Sequence, residues 1–416
     1  MVLALIVGQL VALALASLII VQPLIAVGVV YAIGFWCLAW HYPHMALMLI
    51  FALAPFQTDI GGGPVKLSFA EIHLGLTVPV LLTRNWIERR PILLGPTAIP
   101  IALYFVVCLF SSFQNWRSTA PTSLIQQLLY MVLAVGIFSS LAIDKNDFKL
   151  ALNGLVCVGV FMALMGMATN YSFLGYNKNG IGASLACCLL VCLELWFSAD
   201  RPTAKYLLGI AMTIIGVGLI FSLSRGAWLG ASIGAVFIVC MRRQFRLLLR
   251  TGLILVPLII VCWKMMPESS KQYATGIDRE KNYNIKLRYE SVDIAKDYFQ
   301  QNPIYGMGVG LRKEYDATNV EWLTLAETGV LGLSAFLLIH VVFLRLVWTT
   351  RRHFPQTDIR YSLLAIAAAL MLYKFIHGSV DHYWSRGAIT PAWASVGMAV
   401  YAYYAARNMN NIRTSQ

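Results

Sequence analysis

Charge is what this chain has least of. Only 12% of its 416 residues are Asp, Glu, Lys or Arg, while 59% are hydrophobic and the mean hydropathy is +0.69. Soluble domains carry roughly twice that charge, so the composition indicates a polytopic membrane protein. Strand-type alternation is missing too. The apolar runs have helix length instead, which favours an all-α membrane bundle over an outer-membrane barrel. Cysteine is absent from the long hydrophilic stretch: Cys37, Cys108, Cys157, Cys187, Cys188, Cys192, Cys240 and Cys262 all lie in apolar runs. They offer no disulfide framework and no metal-ligand spacing. Zinc and EF-hand spacings, a G-x-S-x-G nucleophile elbow and an Asp-x-Asp pair for metal-bound sugar nucleotides are likewise missing. Gly61-Gly62-Gly63-Pro64 is a flexible turn that lacks the remaining residues of a phosphate loop. No internal repeat and no low-complexity segment is visible.

Basic residues outnumber acidic ones, 32 Lys and Arg against 19 Asp and Glu, for a net charge of +13. In a membrane protein such an excess serves orientation and contact with anionic lipid head groups. Nucleic acid is a poor partner, because the cations are scattered over many short loops. A span needs about 20 apolar residues, which predicts about 12 to 14 transmembrane helices. The first seven fall near 2–20, 22–40, 44–56, 68–83, 95–113, 122–142 and 148–169. The others fall near 179–198, 205–222, 225–241, 246–265, 322–349, 361–380 and 388–406. The third and fourth are short enough to be re-entrant or broken. The first run lacks a basic n-region and leads straight into the next span, so it reads as a retained helix rather than a cleaved signal. Three regions follow: a transmembrane bundle over 1–265, a loop region over 266–321 and C-terminal transmembrane helices over 322–416. Under this assignment Arg84/Arg89/Arg90, Lys145/Lys149, Arg201/Lys205, Arg242/Arg243/Arg246/Arg250, Arg351/Arg352/Arg360 and Arg407/Arg413 share one side. The positive-inside rule makes that side the cytoplasm and puts both termini there.

The opposite face receives the longest hydrophilic segment, from Met266 to about Thr324, rich in Arg, Lys, Tyr and Asn. Within it Leu287, Ser291, Ile294, Ala295 and Tyr298 recur at helical spacing, and Pro303 closes the pattern. This predicts an amphipathic helix over 284–301, lying on the membrane surface or capping the bundle. Asn302-Pro303-Ile304-Tyr305-Gly306-Met307-Gly308-Val309-Gly310 then sets glycines on alternate positions, as positive φ or close backbone approach requires.

Cations on this face do not serve the positive-inside rule. Arg225, in Ser224-Arg225-Gly226-Ala227-Trp228, stands at a membrane boundary. Its planar guanidinium suits phosphate oxygens, or else snorkels as an anchor. Arg288 follows Arg279, Lys281 and Lys286; it binds an anion, or pairs with Glu280, Glu290 and Asp293 on a solvated face. Of the histidines, His73, His340 and His377 fall inside spans and only His382 falls on this face, in Asp381-His382-Tyr383-Trp384-Ser385-Arg386-Gly387. It is a candidate general base toward a sugar hydroxyl, or part of an interfacial belt with its aromatic neighbours. Glu321 and Glu327 are rival bases near the outer end of the next span, where Glu327 is equally a capping residue. Lys66, Arg117 and Lys178 show no partner in the sequence.

Ser222-Leu223-Ser224-Arg225-Gly226-Ala227-Trp228-Leu229-Gly230 is similar to the S-x-S-R-G-A-W segment of the bacterial O-antigen ligase and O-antigen polymerase superfamily of membrane glycosyltransferases. Arg288, with Ala295, Pro303, Gly306, Gly308 and Gly310 behind it, resembles that family's loop pattern of Arg, helix and P-x-x-G-x-G. Asn319 through Glu327-Thr328-Gly329-Val330-Leu331-Gly332-Leu333 resembles its H-N-x-x-L…A-E-T-G-x-x-G-L. The specific likeness covers about the C-terminal half. It implies a glycan on undecaprenyl pyrophosphate as substrate, at the periplasmic face of the inner membrane. It also implies a lipid or glycan acceptor among the surrounding membrane lipids. A metal-independent transfer without other cofactor is implied as well, with Arg225 and Arg288 binding the pyrophosphate. The cavity expected of such an enzyme is lined by Arg225, Arg288 and Arg386. Its cations stabilise charge on the leaving group while an acceptor hydroxyl attacks from the opposite face, with inversion.

The chain departs from the pattern at one position. The histidine of the H-N pair, proposed as the base in ligases, is Thr318 here. Either His382, Glu321 or Glu327 supplies the base, or leaving-group stabilisation carries the reaction, or this member does something different. The departure brings a polymerase of O-antigen or exopolysaccharide close to a ligase onto lipopolysaccharide. A lipid-linked glycan flippase or transporter needs charges along the inside of the bundle, and the spans hold few: Glu71, Glu194, His340, Lys374 and His377. A purely structural scaffold leaves the basic loop unexplained.

Overall fold

The computed structural model describes residues 23–56, 67–142, 144–173, 178–246, 283–315, 318–381 and 386–414, with isolated positions between 247 and 282. The spans expected at 2–20 and 246–265 lie outside this set, apart from isolated positions in the second. Among the described residues every regular element is helical. In chain order they are α1 (Pro23–His41), α2 (Pro43–Leu53), α3 (Phe69–Ile87), α4 (Ala98–Gln114) and α5 (Ala120–Ser140). Next come α6 (Asp147–Ala168), α7 (Lys178–Ser198), α8 (Pro202–Phe221) and α9 (Arg225–Met241). The last are α10 (Tyr283–Gln301), α11 (Val320–Thr350), α12 (Ile359–Gly378) and α13 (Thr390–Thr414).

Local signals explain the boundaries. Proline opens α2 and α8, where its missing N–H is harmless. Ser68 and Glu71 form a reciprocal capping box at the start of α3, and Asn319 caps α11 by accepting from Trp322 N–H at 2.8 Å. Seven helices, α4 to α8 with α11 and α12, are long and apolar enough to cross a membrane. The protein is a polytopic helical membrane protein. The expected short third span is α2, too short at about 16 Å to cross alone; the fourth, α3, runs unbroken.

Depth in the bundle is uneven. In α7 and α12, 78% of the apolar window is buried, against 17% in α8, so α7 and α12 form the centre and α8 faces lipid. Gly226, Gly230 and Gly234 of α9 lie one turn apart and meet His377, Tyr373 and the Ala369 carbonyl of α12. Small residues at this interval bring two membrane helices into backbone contact. The amphipathic α10 forms where the spacing predicts it and packs on α11 through Ala295, with Leu311, Leu323 and Ala326. Its buried side carries Ser291, Ala295 and Tyr298, whereas Leu287 and Ile294 of the expected stripe remain exposed.

At the end opposite the loop, Arg242 is not a surface charge. It pairs with buried Glu194 of α7 and donates to Ser362 Oγ of α12 at 2.9 Å, tying three helices together. Nearby, Asp358 caps α12. Burial alone raises the pKa of its carboxyl, but hydrogen bonds and charge from Arg360 outweigh this and hold it below the usual value.

Candidate functional site

The turn between α8 and α9 is built by its serines. Ser222 Oγ donates to the Leu219 carbonyl at 2.7 Å and accepts from Ser224 N–H at 3.3 Å, while Leu223 takes a positive φ of 54°. Trp228 Nε1 closes the corner on the same Leu219 carbonyl at 2.7 Å. Gly182 of α7 admits Ser222 and Ser224, because a Cβ there would lie 2.6 Å from both. Arg225 is thereby held, half-buried, at the first position of α9. The next residue, Gly226, presses on the end of α12: a Cβ would stand 2.8 Å from His377 and 2.9 Å from Val380.

The same end of α12 receives Arg288 from α10. Its guanidinium donates to the Val380 carbonyl at 3.1 Å and to Asp381 Oδ2 at 2.6 Å, a pair in which Asp381 is only 3% exposed. From α11, Asn319 Nδ2 donates to the Ser379 carbonyl at 2.8 Å, and Ser379 Oγ donates to Glu321 Oε1. Glu321 Oε2 is buried and has no hydrogen-bond partner among the described residues. Thr318 sits beside Arg288: its hydroxyl meets Ser291 Oγ at 3.0 Å and the Arg288 carbonyl at 3.4 Å. Helices α10 and α11 therefore bring one cation, one carboxylate and an asparagine to the segment Ser379–Asp381, and Gly226, beside Arg225, packs on Val380 from α9.

The glycine-rich loop holds this arrangement from one side. Helix α11 breaks at Gly329 (φ 65°, ψ −166°). There the Ala326 and Glu327 carbonyls accept from Met307 N–H and Gly308 N–H, at 2.8 and 3.1 Å. The N–H of Val330 donates to the Pro303 carbonyl at 2.9 Å in return. Gly306 and Gly329 suit this crossing because any Cβ would enter the facing backbone. Glu327 lies well inside α11, not at its start. Its carboxylate accepts from Gly310 N–H and Arg312 N–H at 3.1 and 3.0 Å, and from the Arg312 guanidinium at 3.0 and 2.6 Å.

His382 and the Arg386 side chain, as well as Arg279, Glu280 and Lys281, lie outside the described residues. Lys286 and Glu290 form an exposed pair at 3.8 Å, and Asp293 pairs with Lys296 at 3.1 Å, as the solvated-face reading expects. Arg117 supports the loop by donating to the Met307 carbonyl at 2.9 Å. Sequence reasoning missed Ser379, Arg312 and the pairing of Asp381. Asp381 carried a signal, an acid at the end of a span beside the only histidine of that face. Among the described residues no group of three or more His, Cys, Asp or Glu gathers as metal ligands would.

The fold defines a multi-pass membrane protein, and Arg225 and Arg288 stand at one end of its bundle. Residues 210–337, from mid-α8 to mid-α11, match the family described as O-antigen ligase. The match supports the likeness to the O-antigen ligase and polymerase superfamily, and the matched segment contains Arg225, Arg288, Thr318, Glu321 and Glu327. No curated protein matches the chain significantly.

Proposed function

We infer that the protein is an integral inner-membrane glycosyltransferase that moves a glycan from undecaprenyl pyrophosphate to an acceptor hydroxyl at the periplasmic face. The convergence of Arg225 and Arg288 on one end of α12 is the observation that carries this reading. A pyrophosphate held there leaves its lipid tail in the bilayer and its sugar toward the loop. As the bond from C1 to the phosphate oxygen breaks, the arginines stabilise the charge that collects on the departing polyprenyl pyrophosphate. Glu321 has the geometry of a base. One oxygen is fixed by Ser379 and the other is without a partner among the described residues, so it accepts the acceptor's proton as the new glycosidic bond forms from the opposite face. Glu327 holds the loop instead, through Arg312.

A polymerase that joins repeat units on the same carrier is the second reading, and Thr318 in place of the ligase histidine favours it. Both readings are tested by the glycan profile of cells lacking the gene and complemented with wild type, Arg225→Ala, Arg288→Ala or Glu321→Gln. Loss of transfer in both arginine variants at normal membrane levels is expected. Glu321→Gln should lower turnover about 10²-fold or more. Long polymer retained on the carrier marks a ligase, and single units mark a polymerase. A normal profile from every variant would overturn the enzyme reading.

A further inference from the structure

At the end of the bundle opposite the arginine corner, a cavity of about 380 Å³ opens between the ends of α3, α5 and α13. A smaller one of about 90 Å³ adjoins it, and Arg90, Ser140 and Ala142 line both. The larger has the size of a small-ligand site.

The local sequence builds the walls. Arg89 takes a positive φ of 52°, so the chain reverses after α3, and Arg90 N–H donates back to the Asn85 carbonyl at 2.8 Å. Leu93 N–H then donates to Ser140 Oγ at 2.9 Å, which fixes the returning segment against the end of α5. Tyr401, Tyr404 and Asn408 of α13 complete the lining.

Two observations point to a phosphate. Asn85 is 8% exposed and lines the smaller cavity, and its Nδ2 has no hydrogen-bond partner among the described residues. A buried amide donor is almost always paired, so an acceptor oxygen belongs beside this one. Charge is the second observation. Arg84 and Arg90 line the smaller cavity with Glu88, which pairs with both, at 3.6 and 3.2 Å. Two cations against one carboxylate leave this end positive, and exposed Arg89 only adds to it. On the α13 side Asp144 and Asp147 interact with Tyr401, as do Asp358 and Arg360, so an anion belongs at the α3 end.

The mouth lies at head-group depth. Trp86 and Ile87, at the end of α3, are 83% and 63% exposed, and the Arg84 guanidinium stands over the Trp40 ring of α1 at 5.9 Å. Tryptophans gather where a bundle meets the lipid head groups. A basic pocket between helices at that depth takes a lipid head group in preference to a soluble anion.

We propose that this cavity binds an anionic glycerophospholipid of the adjacent leaflet. Its phosphate lies at Arg84 and Arg90, with one oxygen on Asn85, and the hydroxyls of its head group point toward Tyr404 and Asn408. The acyl chains leave past Trp86 and Ile87. The site shares no residue with the arginine corner and does not depend on the transferase reading.

Binding is measured by native mass spectrometry on the full-length protein in neutral detergent, with dioleoyl phosphatidylglycerol against dioleoyl phosphatidylcholine. Wild type should prefer phosphatidylglycerol by about tenfold or more, as charge-assisted hydrogen bonds provide. Arg84→Gln combined with Arg90→Gln should remove the preference. Asn85→Leu should weaken phosphatidylglycerol binding about tenfold and leave the lipid-free melting midpoint unchanged or raised, because an apolar group replaces an unpaired buried amide. Ala142→Phe fills the cavity, keeps every charge and should abolish binding. Binding retained in Ala142→Phe would reduce the effect to surface charge and overturn the site. Equal affinity of wild type for the two lipids would overturn the anionic lipid. Displacement of phosphatidylglycerol by an equal concentration of glycerol 3-phosphate would overturn the lipid assignment in favour of a soluble anion.

Discussion

Glu321 and Glu327 sit in the same helix and differ in role because their partners differ. Glu327 is fully buried and accepts four hydrogen bonds, two from the Arg312 guanidinium and two from backbone N–H groups. Glu321 keeps one oxygen without a partner among the described residues. Removing one member of a buried pair leaves the other charge uncompensated, at a cost of about 3–5 kcal/mol. Glu327→Ala should therefore lower the thermal unfolding midpoint of the purified protein by several degrees, and an unchanged midpoint would show that the pair bears no load. Both glutamates were visible in the sequence as acids near the end of a span. Which of them was engaged was not visible, because Arg312 reaches Glu327 across a loop and Ser379 reaches Glu321 from another helix.

Among the elements, α9 and α12 determine where Arg225 stands. Their contact runs through Gly226, Gly230 and Gly234, and a Cβ on Gly230 would lie 2.6 Å from the Tyr373 ring and 2.9 Å from its carbonyl oxygen. The carbonyl cannot yield as a flexible side chain would, so Gly230→Leu must push the helices apart. Overpacking of this kind costs about 1–3 kcal/mol. The expected outcome is a protein that still inserts but has lost most transfer activity, because the start of α9, which carries Arg225, is displaced from the end of α12. Full activity in Gly230→Leu would mean that this contact does not position the arginine. The four-residue glycine interval is legible in the sequence. Its partner is not, since nothing in the α12 sequence marks Tyr373 and Ala369 as the receiving face. Likewise Gly329 reads as part of a motif, yet only the crossing of Pro303–Gly310 explains why a helix breaks there.

At the scale of the whole molecule, two chemically different ends are separated by the membrane. One carries the arginine corner and α10; the other carries the basic clusters, with Arg242 and Glu194 clamping α7, α9 and α12. The inferred orientation predicts that, in a cysteine-free background, a cysteine at Glu290 reacts with a membrane-impermeant thiol reagent in cells with a permeable outer membrane. One at Arg352 should react only after the inner membrane is opened. The reverse pattern would invert the protein and remove the periplasmic site.

Hydrophobicity and its period are local properties, so the sequence by itself determined the membrane bundle, most span positions, the surface helix α10 and the candidacy of Arg225 and Arg288. Pairing is a property of distant segments. Only the tertiary structure decided that Arg288 pairs with Asp381, that Asn319 and Glu321 both reach Ser379, and that Gly226, beside Arg225, packs on Val380. These contacts join residues from helices far apart in the chain, and nothing in the local pattern of any one helix encodes which neighbour it will face.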